Sequence, residues 1–112
     1  MLLKKGEKVI LNLPIRKRGI QELILTNRRL TYEKEVSTGI FSRTKETVFS
    51  VPLYKISNAW VEAGLFSSKL ILEVAFSQGP EYPDELKRYE FITDKDIANT
   101  WVNSITRMVR QV

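Results

Sequence analysis

The chain has 112 residues, 43% of them hydrophobic and 28% charged, with a formal net charge of +5. That length suits one domain with a single core, here expected as 1–112 with its core over about 6–110, and the composition is that of a globular protein rather than a disordered one. Cysteine and histidine are both absent, which excludes disulfides, thiol chemistry and the side chain best placed for acid–base work or metal ligation at neutral pH.

The charge is one-sided. Residues 1–50 carry eleven Lys/Arg against five Glu, whereas residues 51–112 carry seven against eight acidic residues. A basic excess confined to one half favours an anionic partner, and it reads equally as a soluble surface. The longest mostly apolar stretch, LILEVAF at 70–76, is too short to span a bilayer and contains Glu73. The opening MLLKKGEK lacks the apolar core of a signal peptide. With no cysteine, these features point to a cytoplasmic protein, free or peripheral to a membrane.

Period-two alternation predicts strands in chain order. Val9, Leu11 and Leu13 share one face of a first strand ending at Pro14, and Leu23 and Leu25 lead a second. Thr26–Arg29 reads as a tight turn in which Asn27 bonds its own main chain. Arg29 then opens a third strand, opposite to core-facing Leu30 and Tyr32, where it could pair with Glu22 or another carboxylate of a neighbouring strand. Thr47, Phe49 and Val51 mark a fourth strand closed by Pro52, which cannot donate to a ladder. Ile56–Ala63 forms a fifth, with a bulge between Ile56 and Ala59 if both point inward and Trp60 outward. Leu70, Leu72, Val74 and Phe76 form a sixth, broken by Gly79-Pro80, and Tyr89 with Phe91 a seventh.

The period then changes. Ile97, Trp101, Ile105 and Met108 fall at helical spacing, widened by Val102 and Val109. Thr93 and Asp96 resemble a capping box, and Arg107 and Arg110 suit the negative end of the helix dipole. Seven strands followed by one helix make the protein mainly β. They predict a bent antiparallel sheet or partly open barrel capped by the C-terminal amphipathic helix.

Four stretches taken together resemble the pleckstrin-homology-like superfamily, in particular its GRAM-type and bacterial PH-like branches: ELILTNRRLTYEK at 22–34, VPLYKISNAWVEAGLFSSKLILEV at 51–74, YEFI at 89–92 and IANTWVNSI at 97–105. The resemblance runs in order over about residues 6–110. It implies a seven-stranded bent barrel capped by the terminal helix, working as a binding module for lipid, peptide or further copies of itself; fold does not choose among these.

Two sets of candidate contact residues follow. Arg16, Lys17 and Arg18 occupy the loop that carries headgroup-binding basic residues in phosphoinositide-binding relatives, and Arg28 could add to their field. The strand-two arginines of that motif are replaced here by Gln21 and Glu22. The same four cations also read as solvated turns. Trp60, with Leu65, Phe66, Ile40 and Phe41 in loops, form a candidate protein-contact set, because exposed aromatic and aliphatic clusters mark interfaces. Trp60 also reads as a packed core residue, as a Trp in a small domain more often is.

No glycine-rich phosphate loop, nucleophile elbow or metal-ligand cluster is present, so neither catalysis, a cofactor nor a metal is expected. The reading that results is a non-enzymatic interaction module acting through self-association or a protein partner. Peripheral binding to anionic lipid is the alternative. Single-stranded nucleic-acid binding is a remote third, since that chemistry favours five-stranded barrels with outward aromatics and the aromatics here sit at inward positions.

Overall fold

The computed structural model describes residues 2–15 and 21–110. It contains strands β1 Val9–Ile15, β2 Gln21–Thr26, β3 Arg29–Ser37 and β4 Arg43–Pro52. A single 3-10 turn, Leu53–Lys55, leads to β5 Ile56–Ala63, β6 Ser68–Phe76, β7 Glu85–Thr93 and the helix α1 Lys95–Arg110. All seven strands pair antiparallel with their sequence neighbours in two sheets, β1-β2-β3-β4 and β5-β6-β7. Among the described residues the seven strands and closing helix are as expected, but the ladders make two sheets rather than the single bent sheet or partly open barrel expected. The chain divides into two compact units, Met1–Pro52 and Leu53–Val112.

In the first unit, register stacks apolar residues in two cross-strand rows. One row runs Leu13, Leu23, Tyr32, Phe49, and the other Leu11, Leu25, Leu30, Val51. Leu23, Leu25 and Leu30 are fully buried, and Tyr32 meets Phe49 edge-to-face at 5.8 Å. Two bulges alter the expected faces. The first lies between Val9 and Leu11, and it leaves Val9 about half exposed instead of inward, like the outward Ile10 beside it. The second lies where Tyr32 pairs Phe49 but Glu33 pairs Thr47, so Val48 is the extra residue and Thr47 moves to the opposite face from Phe49.

In the second unit the rows are Val61, Leu70, Phe91 and Ala59, Leu72, Tyr89, and the ladder shifts between Ile56 and Asn58, where the spacing calls for a bulge. The helix packs on β5 and β6. Its buried residues are Ala98, Trp101, Ser104 and Ile105, while Ile97 is exposed. The buried stripe is therefore centred on Trp101 and rotated away from Ile97, because the small Ala98 allows the helix to approach the sheet. Thr93 is the last residue of β7, paired with Ser68, so the expected Thr93–Asp96 capping box does not form. Asp94 holds the N-cap position instead, its carbonyl accepting from the Ala98 amide at 2.9 Å. Trp101→Ala should cost about 3–5 kcal/mol in urea denaturation, and Ile97→Ala less than about 1 kcal/mol; equal losses would place the helix face wrongly.

Candidate functional site

Residues 4–7 and 26–29 build one polar structure. Lys4–Glu7 forms a turn closed by the Glu7 amide donating to the Lys4 carbonyl at 2.9 Å, with Gly6 at φ +78° in its third position. A side chain is disfavoured at that φ, and the place a Cβ would occupy is 3.1 Å from Nη2 of Arg28. The turn thus needs glycine for backbone conformation and for space.

The β2–β3 turn docks on this segment through three side chains. Thr26 Oγ1 accepts from the Arg28 and Arg29 amides at 3.1 and 3.0 Å, and donates to Glu7 Oε2 at 2.7 Å. Asn27 bonds the N-terminal segment rather than its own main chain: its Oδ1 accepts from the Lys8 amide at 2.8 Å and its Nδ2 donates to the Gly6 carbonyl at 3.1 Å. Arg29 does not pair with Glu22, which instead meets Asn12 and Lys45. It forks onto Glu7, Nε to Oε2 at 2.8 Å and Nη2 to Oε1 at 3.0 Å, and Nη2 also donates to the Leu2 carbonyl at 2.7 Å.

Glu7 has a fully buried side chain and four donors on its two oxygens, the fourth being the Lys4 amide at 2.9 Å. A carboxylate has about four acceptor sites, and here all are filled. Hydrogen bonds from Arg29 outweigh the opposing effect of burial, and the Lys4 amide and Thr26 hydroxyl add to them, so the carboxyl is lowered from 4.5 to about 2. The same bonds raise the Arg29 guanidinium, against its burial, with the charges of Glu7 and Glu33 helping.

Beside this pair lies a cleft of about 400 Å³ lined by Lys4, Glu7, Arg28, Arg29, Ser50 and Pro52. Arg28, proposed from sequence as an anion contact, therefore lies with Lys4 and Arg29. Arg16, Lys17 and Arg18 lie outside the described residues.

The expected protein-contact residues fall at hairpin tips and on a strand. Ile40 and Phe41, 93% and 98% exposed, sit between β3 and β4; Leu65 and Phe66, 95% and 100% exposed, sit between β5 and β6. Both tips carry one pattern, Gly-Ile-Phe-Ser at 39–42 and Gly-Leu-Phe-Ser at 64–67. Each is tied across its base, by the Thr38 amide to the Ser42 carbonyl and by the Gly64 amide to the Ser67 carbonyl, both at 2.9 Å. A Cβ on Gly64 would lie 2.5 Å from the Ser67 carbonyl oxygen, so that closure requires glycine.

Trp60 is half-buried, facing Ile71 across the β5–β6 ladder, with the Arg88 guanidinium 5.0 Å from its ring. Arg88 also stands opposite Glu73 in the β6–β7 ladder. Among the described residues no group of acidic side chains could hold a metal ion, and no helix is long and apolar enough to cross a membrane.

Sequence reasoning missed Glu7, because it precedes the first predicted strand and its partner Arg29 is 22 residues away. The Gly6-Glu7 pair immediately before the first strand was the available signal. Glu7→Gln should lower stability by about 1.5–3 kcal/mol at neutral pH. Because the folded carboxyl titrates below its unfolded value, its contribution is full above about pH 4.5 and is lost as pH falls toward about 2. Denaturation at stepped pH should therefore show native and Glu7→Gln stabilities converging over that window; a constant difference would contradict the assignment.

No family model and no curated protein matches the chain. Solved structures do. The Vps36 N-terminal PH domain is 20% identical, with a TM-score of 0.57, over 98% of this chain and 84% of that one. A DUF1696 family protein with a pleckstrin-homology domain from Shewanella loihica PV-4 is 18% identical, with a TM-score of 0.58, over 96% and 83%. With seven antiparallel strands followed by one helix matched over nearly its whole length, the chain has a pleckstrin-homology-like fold.

Proposed function

We propose that the chain is a non-enzymatic PH-like binding module, one cytoplasmic domain over 1–112, acting through protein contact at its hairpin tips, with a second copy of itself as first partner. The observation that carries this reading is the pair of Gly-aliphatic-Phe-Ser tips, each holding two nearly fully exposed apolar side chains on a tied turn. Exposed apolar groups on a pre-organised turn bind with little ordering cost. That each solved PH domain is matched across almost all of this chain supports reading it as one domain.

Local charge favours a protein surface over an anionic leaflet. Near the first tip, Arg43 lies 3.4 Å from Glu35 and Lys45 3.9 Å from Glu22. Beside the second tip, a groove of about 280 Å³ is lined by Ala63, Gly64, Ser67 and Ser68 together with one acid, Asp94, and one base, Lys95. Trp60, half covered by Arg88, is a flanking contact in this reading. The second reading, peripheral attachment to anionic lipid through Arg16, Lys17, Arg18 and Arg28, is favoured by the basic excess of residues 1–50.

Leu65→Ser/Phe66→Ser should leave stability within about 0.5 kcal/mol, because these side chains are exposed. Sedimentation at micromolar concentration should show an oligomer for the native chain and a monomer for this variant. A native monomer would contradict self-association. Vesicle flotation that depends on acidic lipid, weakens with salt and is lost on neutralising residues 16–18 would favour the second reading instead.

A further inference from the structure

We infer that the cleft over the Glu7–Arg29 pair is a binding site for a phosphomonoester, separate from the hairpin-tip surface. Three cations, Lys4, Arg28 and Arg29, and one carboxylate, Glu7, line it. The formal surplus is two positive charges, matching a phosphomonoester at neutral pH, which carries about −1.5 to −2. Among the described residues, neither Lys4 nor Arg28 has a carboxylate partner.

The site is built rather than a chance gathering of surface bases. Glu7 occupies Nε and one edge of Nη2 of Arg29, and the Leu2 carbonyl takes the other, so the guanidinium cannot turn away. Its Nη1 has only Ser50 Oγ, at a long 3.4 Å, and so keeps donor capacity. Ser50 Oγ is itself fixed 3.0 Å from Thr31 Oγ1. Arg28 folds back over the Gly6 turn, its Nη2 standing 3.1 Å from where a Cβ would be. The missing side chain at Gly6 is what lets this second guanidinium lie there. A volume of about 400 Å³ exceeds a bare phosphate ion and admits the small alcohol it esterifies. Tetrahedral oxygens suit donors converging from several directions, and guanidinium groups bind them with charge-assisted bonds.

The ester could be free in solution or the headgroup of a lipid, and the test separates these. Glycerol 3-phosphate, titrated into the full chain and followed by NMR, should shift the Arg28 and Arg29 side-chain Nε–H signals, with binding weakened by salt. Lys4→Gln/Arg28→Gln should weaken that binding at least about tenfold. Neither side chain contributes to the Glu7–Arg29 pair, so thermal stability should be unchanged. Vesicles of phosphatidylcholine containing phosphatidic acid supply the second arm. Binding of the soluble ester alone assigns a free ligand, and vesicle binding lost in the same double variant assigns a headgroup; both uphold the site. No binding by either probe, or equal binding by the double variant, overturns it. Neither result depends on oligomeric state, so the hairpin-tip proposal stands or falls separately.

Discussion

A buried carboxylate is costly unless every lone pair and its charge are answered. Glu7 meets that demand with two bonds from Arg29, one from Thr26 and one from the Lys4 amide. The other features of this end of the first unit hang on that arrangement. Lys4 can donate only because the chain reverses at Gly6, and Thr26 can donate only because its hydroxyl also closes the turn into β3. Asn27 then zips the turn to Gly6 and Lys8. The two neighbouring arginines of the Thr-Asn-Arg-Arg turn are divided in role by this geometry: Arg29 is fixed inside the structure and Arg28 is left facing the cleft.

Much of the architecture is legible in the sequence because period two and period 3.6 report directly on which side chains are buried. The clean alternation of Leu70, Leu72 and Val74 gives β6, and the irregular spacing of Ile56 and Ala59 reveals the bulge in β5. Where reading fails, the deciding atom lies on another segment. Thr47, Phe49 and Val51 alternate perfectly, and only the pairing of Glu33 with Thr47 exposes Val48 as an extra residue. Ile97 fits the helical stripe as well as Ala98 does, and the choice belongs to the sheet beneath. Asn27 has the chemistry to bond its own turn, but the free backbone of Gly6 and Lys8 offers it better partners.

The candidate surfaces divide in the same way. Ile40, Phe41, Leu65 and Phe66 are legible as loop apolar residues with no core position, and they stand almost wholly exposed. Their shared Gly-aliphatic-Phe-Ser pattern acquires meaning only when both copies fall on hairpin tips. Trp60 is less open than its outward register suggests, because Arg88 from β7 lies against its ring. The cleft was invisible in the sequence, since Lys4, Arg28 and Ser50 come together only through the turn at Gly6 and the pairing of β3 with β4.

Arg29 thus serves the fold through Glu7, while Arg28 remains available at the surface. A double-mutant cycle in urea denaturation measures it, using Glu7→Gln, Arg29→Gln and the combination, beside a parallel cycle with Arg28→Gln. Glu7 and Arg29 should couple by about 1–3 kcal/mol, whereas Glu7 and Arg28 should be additive within about 0.5 kcal/mol. Additive losses for Glu7 and Arg29, or equal coupling to both arginines, would contradict that division of roles.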